Sequence, residues 1–150
     1  MQIKTHPAMN VLYSTFQTSL ATLHDKVGTI ARDLHEEAAR QHLLVTGPVY
    51  WFYYGADGKP DTIFTLEIAV PISGEPVTNE RFLFNRLETF KCIVETHYGA
   101  WSELGNTYGI LMQKVATDQL KLNGVCREMY VNIDFTRDEC NITEVQVGIV

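Results

Sequence analysis

One internal match constrains this chain more than anything else: laid on itself with an offset of 77 residues, the second half repeats the first. Gly47 falls on Gly124, Tyr53 on Tyr130, Glu67 on Glu144, Val70 on Val147, Ile72 on Ile149, Leu34 on Leu111 and Gly28 on Gly105. Identities that keep one register through a helix, a loop and a hairpin predict two copies of a single supersecondary unit.

Each copy reads as strand, helix, strand, strand. In the first, Met9 to Gln17 is rich in β-formers, and Leu20, Leu23, Val27, Ile30 and Leu34 then recur at steps of three and four, the stripe of a core-facing helix ending near Gln41. Thr46-Gly-Pro48 breaks the chain. Val49 to Tyr54 and Thr62 to Val70 follow as two strands joined by the Gly55–Pro60 turn. In the second copy, Phe90 to Thr96 is the strand, and Trp101, Leu104, Tyr108, Leu111 and Val115 mark the helix. Asn123-Gly124 is its stop signal, and Cys126 to Asn132 with Asn141 to Ile149 closes the unit. The expected organisation is one α+β domain over residues 1–150: repeat 1 over about 9–72, a connector over about 73–88 with an apolar Phe82-Leu-Phe84 anchor, and repeat 2 over about 89–150. A β-α-β-β unit buries only one face of its hairpin. Two such units related by a pseudo-twofold axis enclose a central cleft between them, a favoured place for a ligand.

Composition excludes several function classes. With 12 Lys and Arg against 18 Asp and Glu, the net charge is −6 and no basic patch stands out, so direct nucleic-acid binding is not expected. No run approaches the roughly 20 apolar residues of a membrane span, and the N-terminus has no signal-peptide core; a cytoplasmic protein is expected. Cys92, Cys126 and Cys140 are odd in number and lack CxxC spacing, as reduced thiols do. The phosphate-loop and GxSxG signatures are missing. His35-Glu-Glu-Ala-Ala39 opens like a helical zinc motif but has Ala39 where the second histidine belongs, and His6, His24, His42 and His97 show no ligand spacing, their plainer reading being exposed or capping side chains. Neither a metal nor a cofactor is expected.

The chemistry-bearing residues are aromatic and acidic. In Tyr50-Trp-Phe-Tyr-Tyr54, Trp51 and Tyr53 share one face of a strand; in Gly124 to Asn132, Glu128 and Tyr130 share another. The 77-residue offset makes Trp51 the counterpart of Glu128, and Tyr53 that of Tyr130. If the copies face each other, these four line one cavity. From pattern alone, an acid on a strand is more often a surface group, and Glu67 and Glu144 are equally open to an outward reading. A carboxylate in an aromatic wall instead raises its pKa or takes a cation. A lipophilic cation over Trp or Tyr faces gains about 0.5–2 kcal/mol per good contact.

His97-Tyr-Gly-Ala-Trp-Ser-Glu-Leu-Gly105, Gly124-Val-Cys-Arg-Glu-Met-Tyr-Val-Asn132 and Thr143-Glu-Val-Gln-Val-Gly-Ile149 together resemble the gyrase-inhibitor-like (GyrI-like) small-molecule-binding domain. That fold also serves as effector-binding domain in multidrug-sensing regulators of the AraC and MerR types. The resemblance implies two tandem β-α-β-β units with a ligand cleft between them, Glu128 as the pocket acid, Tyr130 beside it, and Trp101 and Tyr108 at the family's aromatic helix positions. The chain departs from the family's His-x-Gly-Pro-Tyr run with Ala100 for proline and Trp101 for tyrosine. Three functions follow as expectations. The first is a stand-alone binding module for amphipathic, cationic or aromatic small molecules, with Glu128, Tyr130, Trp51, Tyr53, Trp101 and Tyr108 at the ligand. The second is a hydrolase of strained cyclopropane or epoxide natural products with Glu128 as general acid/base. The third is an inhibitor that contacts a DNA topoisomerase. A homodimer or another protein partner is left open.

Overall fold

A computed structural model describes residues 1–150. Its frame is one nine-stranded sheet in which every neighbouring pair is antiparallel. The strands are β1 (Gln2–His6), β2 (Met9–Thr18), β3 (Leu44–Val45), β4 (Tyr50–Tyr54), β5 (Phe64–Ser73), β6 (Leu83–Leu87), β7 (Phe90–Tyr98), β8 (Leu122–Asn132) and β9 (Ile142–Ile149). They lie in the order β1-β7-β9-β8-β4-β5-β2-β6, with the two-residue β3 paired to β5 off this path. Helices α1 (Leu23–Val27) and α2 (Ile30–Arg40) fall between β2 and β3, and α3 (Leu104–Thr117) between β7 and β8.

The sheet is curled into a half-barrel, and its two edges are tied by the chain itself. β1 pairs with β7 from Gln2–Val94 to His6–Phe90; β2 pairs with β6 from Met9–Leu87 to Tyr13–Leu83. The two ladders keep one register across the short links Pro7-Ala8 and Glu88-Thr89. A single bent ribbon therefore runs from one edge of the strand order to the other. Neither β1 nor β6 was expected from the sequence. β1 carries the polar alternation of an edge strand, and β6 occupies what reads as the connector, where Phe82-Leu-Phe84 enters it.

Strand alternation divides the core. On one face Leu12, Leu66, Ile68 and Val70 pack under Leu23, Val27, Ile30, Leu34 and Ala38 of the first two helices, and Ile93, Val145, Val147 and Ile149 pack under Leu111 and Val115 of α3. The opposite face carries Tyr50, Phe52, Val11 and Leu87, with Phe90, Cys92 and Val94 beside them. No helix covers that face; curling of the sheet buries it. Arg127 lies there, 3.8 Å from the Phe90 ring centroid and 5.0 Å from that of Phe52, and burial first of all lowers its pKa.

Several local expectations are corrected. The first helix is broken at Gly28-Thr29, with Gly28 at φ 51°. The second begins as a 3-10 turn at Trp101–Glu103 and ends at Thr117, before Asn123-Gly124. The terminators are residues with positive φ that no glycine rule flags: His42 at 57° after α2 and Gln119 at 55° after α3. Each sends its amide back into the last turn, His42 to the Ala39 carbonyl and Gln119 to that of Ala116. Gly124, at φ 86°, sits instead in a bulge of β8 between Leu122 and Cys126. His97 is buried rather than exposed or capping. Glu144 is buried too, on the helix-free face, where it accepts hydrogen bonds from Lys4 at 3.2 Å and Gln146 at 2.9 Å.

Candidate functional site

Strands β4 and β8 pair at the centre of the sheet with Trp51 directly opposite Glu128. The alternation that sends Arg127 and Met129 to the helix-free face sends Cys126, Glu128 and Tyr130 towards the helices, and Trp51 and Tyr53 beside them. Glu128 is only 4% exposed. Its Oε2 accepts hydrogen bonds from the hydroxyls of Tyr53, at 3.1 Å, and Tyr130; its Oε1 accepts one from Tyr108 on α3, at 2.8 Å. Three phenols from three elements thus close on one carboxylate, and no Lys, Arg or His is paired with it.

A shell of rings surrounds this cluster. Trp51 and Trp101 each meet Tyr130 edge-on with centroids 5.9 Å apart, Tyr53 leans on Phe64 at 5.7 Å, and His24 stands 6.3 Å from Trp51. Outermost is Phe135, in the loop between β8 and β9, 5.7 Å from Trp101 at an interplanar angle of 71°. The helix start that carries Trp101 is fixed by His97 on β7. Its Nε2–H donates to the Ala100 carbonyl at 2.8 Å, and its Nδ1 meets the Thr107 hydroxyl at 2.8 Å.

Burial sets the electrostatics. It raises the Glu128 pKa above the ordinary carboxylate value, and the hydrogen bonds from Tyr130, Tyr108 and Tyr53 pull it part of the way back. The same burial, followed by the charge on Glu128, pushes all three phenols well above their usual value, so they remain donors at neutral pH. Cys126 lies alongside, its thiol pushed up to about 11 by burial and then by Glu128. A neutral thiol of that kind is a weak nucleophile. No three His, Cys, Asp or Glu side chains converge as metal ligands. The arrangement can hold a positive charge against the carboxylate with aromatic faces around it, or hold a proton.

The structure brings all six sequence-nominated residues together: Glu128, Tyr53, Tyr108 and Tyr130 bonded, Trp51 and Trp101 packed on them. They form a cage of rings around the carboxylate. Two surface pockets, of about 230 Å³ beside Asp33, Glu37 and Arg81 and about 350 Å³ beside Phe16, Val27 and Ile30, lie elsewhere. Sequence reasoning missed His24, Phe64, His97, Thr107 and Phe135. For Phe135 a signal was present, an aromatic residue where a hairpin loop normally carries polar ones; for His97 and Thr107 none was, since their contact depends on how α3 docks.

Several solved structures share this fold. The C-terminal domain of EcmrR superposes with a TM-score of 0.81 at 19% identity, over 99% of this chain and 96% of that one. In the EcmrR–DNA complex the same likeness, at 20% identity and a TM-score of 0.81, covers 99% of this chain but 56% of the EcmrR chain. SAV2435, solved bound to tetraphenylphosphonium, matches at 14% identity with a TM-score of 0.64, over 99% and 93% of the two chains. A protein from Listeria innocua described as a hydrolase matches at 15% identity with a TM-score of 0.65, over 99% and 91%. At these identities the likeness establishes the fold. No curated protein matches the sequence significantly, and no helix is long and apolar enough to cross a membrane. The family model of the GyrI-like small molecule binding domain matches residues 1–150, and the chain belongs to that family.

Proposed function

We propose that this chain binds amphipathic cationic or aromatic small molecules in the cage around Glu128, sequestering them or reporting them to a partner. One observation carries the reading: a carboxylate 4% exposed, held by three phenols and no cation, at the centre of an aromatic shell. Ionised and unpaired, that group is costly in the interior. A ligand cation entering among the rings relieves the cost, and the phenols, which donate to the carboxylate, need only re-aim. Tetraphenylphosphonium in the similar SAV2435 structure supports the ligand class. The net charge of −6 supports a cation and not nucleic acid as the partner; three free thiols suit a cytoplasmic setting.

The tandem-repeat reading supports a site at the join. Outward from the β4–β8 pair the strand order runs β4-β5-β2 on one side and β8-β9-β7 on the other. Buried Leu34 and Leu111, the terminators His42 and Gln119, and the pairs Val45–Ile72 and Leu122–Ile149 all keep the 77-residue offset. A pseudo-twofold axis through this pair puts Trp51 and Glu128 next to it, where two like units supply unlike side chains. On this reading residues 1–150 form one domain, with repeat 1 over about 9–72 and repeat 2 over about 89–150.

Titration of the chain with tetraphenylphosphonium, wild type against Glu128→Gln, tests the proposal. The expected result is a loss of at least about tenfold in affinity; unchanged affinity removes Glu128 from the site. A second reading, hydrolysis of a strained electrophile with Glu128 as general acid/base, draws on the raised Glu128 pKa and the likeness to the Listeria hydrolase. Product formed from an epoxide or cyclopropane substrate, and lost in Glu128→Gln, distinguishes it from binding alone.

A further inference from the structure

The loop between β8 and β9 is held by side-chain hydrogen bonds. Asp134 Oδ1 accepts from the Thr136 amide at 2.9 Å, the Thr136 hydroxyl at 2.8 Å and the Arg137 amide at 3.0 Å. The Asp134 amide donates to Asn141 Oδ1 at 2.7 Å, and Asn132 Nδ2 to the Cys140 carbonyl at 2.7 Å. A loop tied this way has its backbone set by polar bonds. It needs no apolar anchor, yet it carries Phe135, which is 83% exposed.

An exposed phenylalanine gives up the burial that makes its side chain favourable, about 1.5–3 kcal/mol if it were covered. Phe135 is nonetheless directed at one place. Its ring lies 5.7 Å from Trp101, and the 71° between the planes makes the two rings a corner open to solvent. Trp101 in turn stands edge-on to Tyr130, which donates to Glu128. An unbroken file of rings leads from the surface to the carboxylate. The indole Nε1 of Trp101 is buried without a hydrogen-bond partner, a polar atom left over in the same file. Asp134, its carboxyl held below the usual range by the Thr136 and Arg137 bonds, adds a fixed negative charge beside the corner.

The geometry points to Phe135 as a specificity-determining ligand contact: its exposed face and the edge of Trp101 form an outer corner that receives an aryl group of the ligand whose charge sits over Glu128. Aromatic rings favour offset and edge-on approaches at 4.5–7 Å, and a corner offers one of each to a third ring. This division of labour rests on reading the Glu128 cage as the ligand site: the carboxylate selects charge, the corner selects aryl substituents.

Binding of tetraphenylphosphonium and of tetraethylammonium, cations with and without aryl groups, separates the two roles in the full chain. Phe135→Ala is expected to weaken tetraphenylphosphonium about five- to tenfold, leave tetraethylammonium unchanged and leave the melting temperature unchanged; Phe135→Tyr is expected to restore wild-type affinity. Glu128→Gln weakens both cations. An equal loss for both cations in Phe135→Ala, or no loss for either while Glu128→Gln weakens them, overturns the corner and leaves the cage reading standing. If wild type binds neither cation, or Glu128→Gln alters neither, the cage reading falls and the corner with it.

Discussion

Glu128 is an acid that its fold keeps from water and gives only phenols to bind. Because burial raises its pKa in the folded chain, the native state holds this proton more tightly than the unfolded state does. Stability then falls as pH rises from the ordinary carboxylate range through the raised folded value, and levels off above it. Glu128→Gln removes the ionisation. It is expected to be the more stable form at neutral pH, with the difference shrinking as the pH drops towards 4; urea denaturation of both forms across pH 4–8 measures it. The alternation of Gly124 to Asn132 was enough to pair Glu128 with Tyr130 on one face. It was not enough to decide between surface and interior, because that depends on α3 bringing Tyr108 over the strand.

Among the elements, α3 is the one whose docking completes the cage, and the His97–Thr107 contact fixes its first turn. His97 Nδ1 has the Thr107 hydroxyl as its hydrogen-bond partner; replacing that hydroxyl with a methyl leaves a buried ring nitrogen unmet. Thr107→Val is therefore expected to cost about 1–3 kcal/mol in chemical denaturation and to shift the fluorescence of Trp101, which begins the same helix. The helix stripes were legible because Leu34 and Leu111 recur with their neighbours at helical spacing, and both are fully buried. The helix ends were not. Their terminators, His42 and Gln119, take positive φ without glycine, held there by the packing of the residues that follow.

For the whole molecule, the ribbon that crosses from β1–β7 to β2–β6 makes one half-barrel of two sets of strands. Leu87, 8% exposed, packs at that crossing with Val11, Tyr50 and Phe52. Leu87→Ala is expected to cost about 2–4 kcal/mol, and because the ribbon serves both edges, amide exchange in β5 and in β9 should accelerate together; acceleration confined to β5 would mean that the halves open independently. By itself the sequence determined the helix stripes and the central strands, and it paired Glu128 with Tyr130 and Trp51 with Tyr53 on common strand faces, because periodicity is a property of neighbouring residues. Only the tertiary structure decided that β1 and β6 close the sheet's edges, that three phenols converge on one carboxylate and that Phe135 stands at the rim. Those depend on contacts between residues far apart in the chain, made when the sheet curls and α3 docks on it.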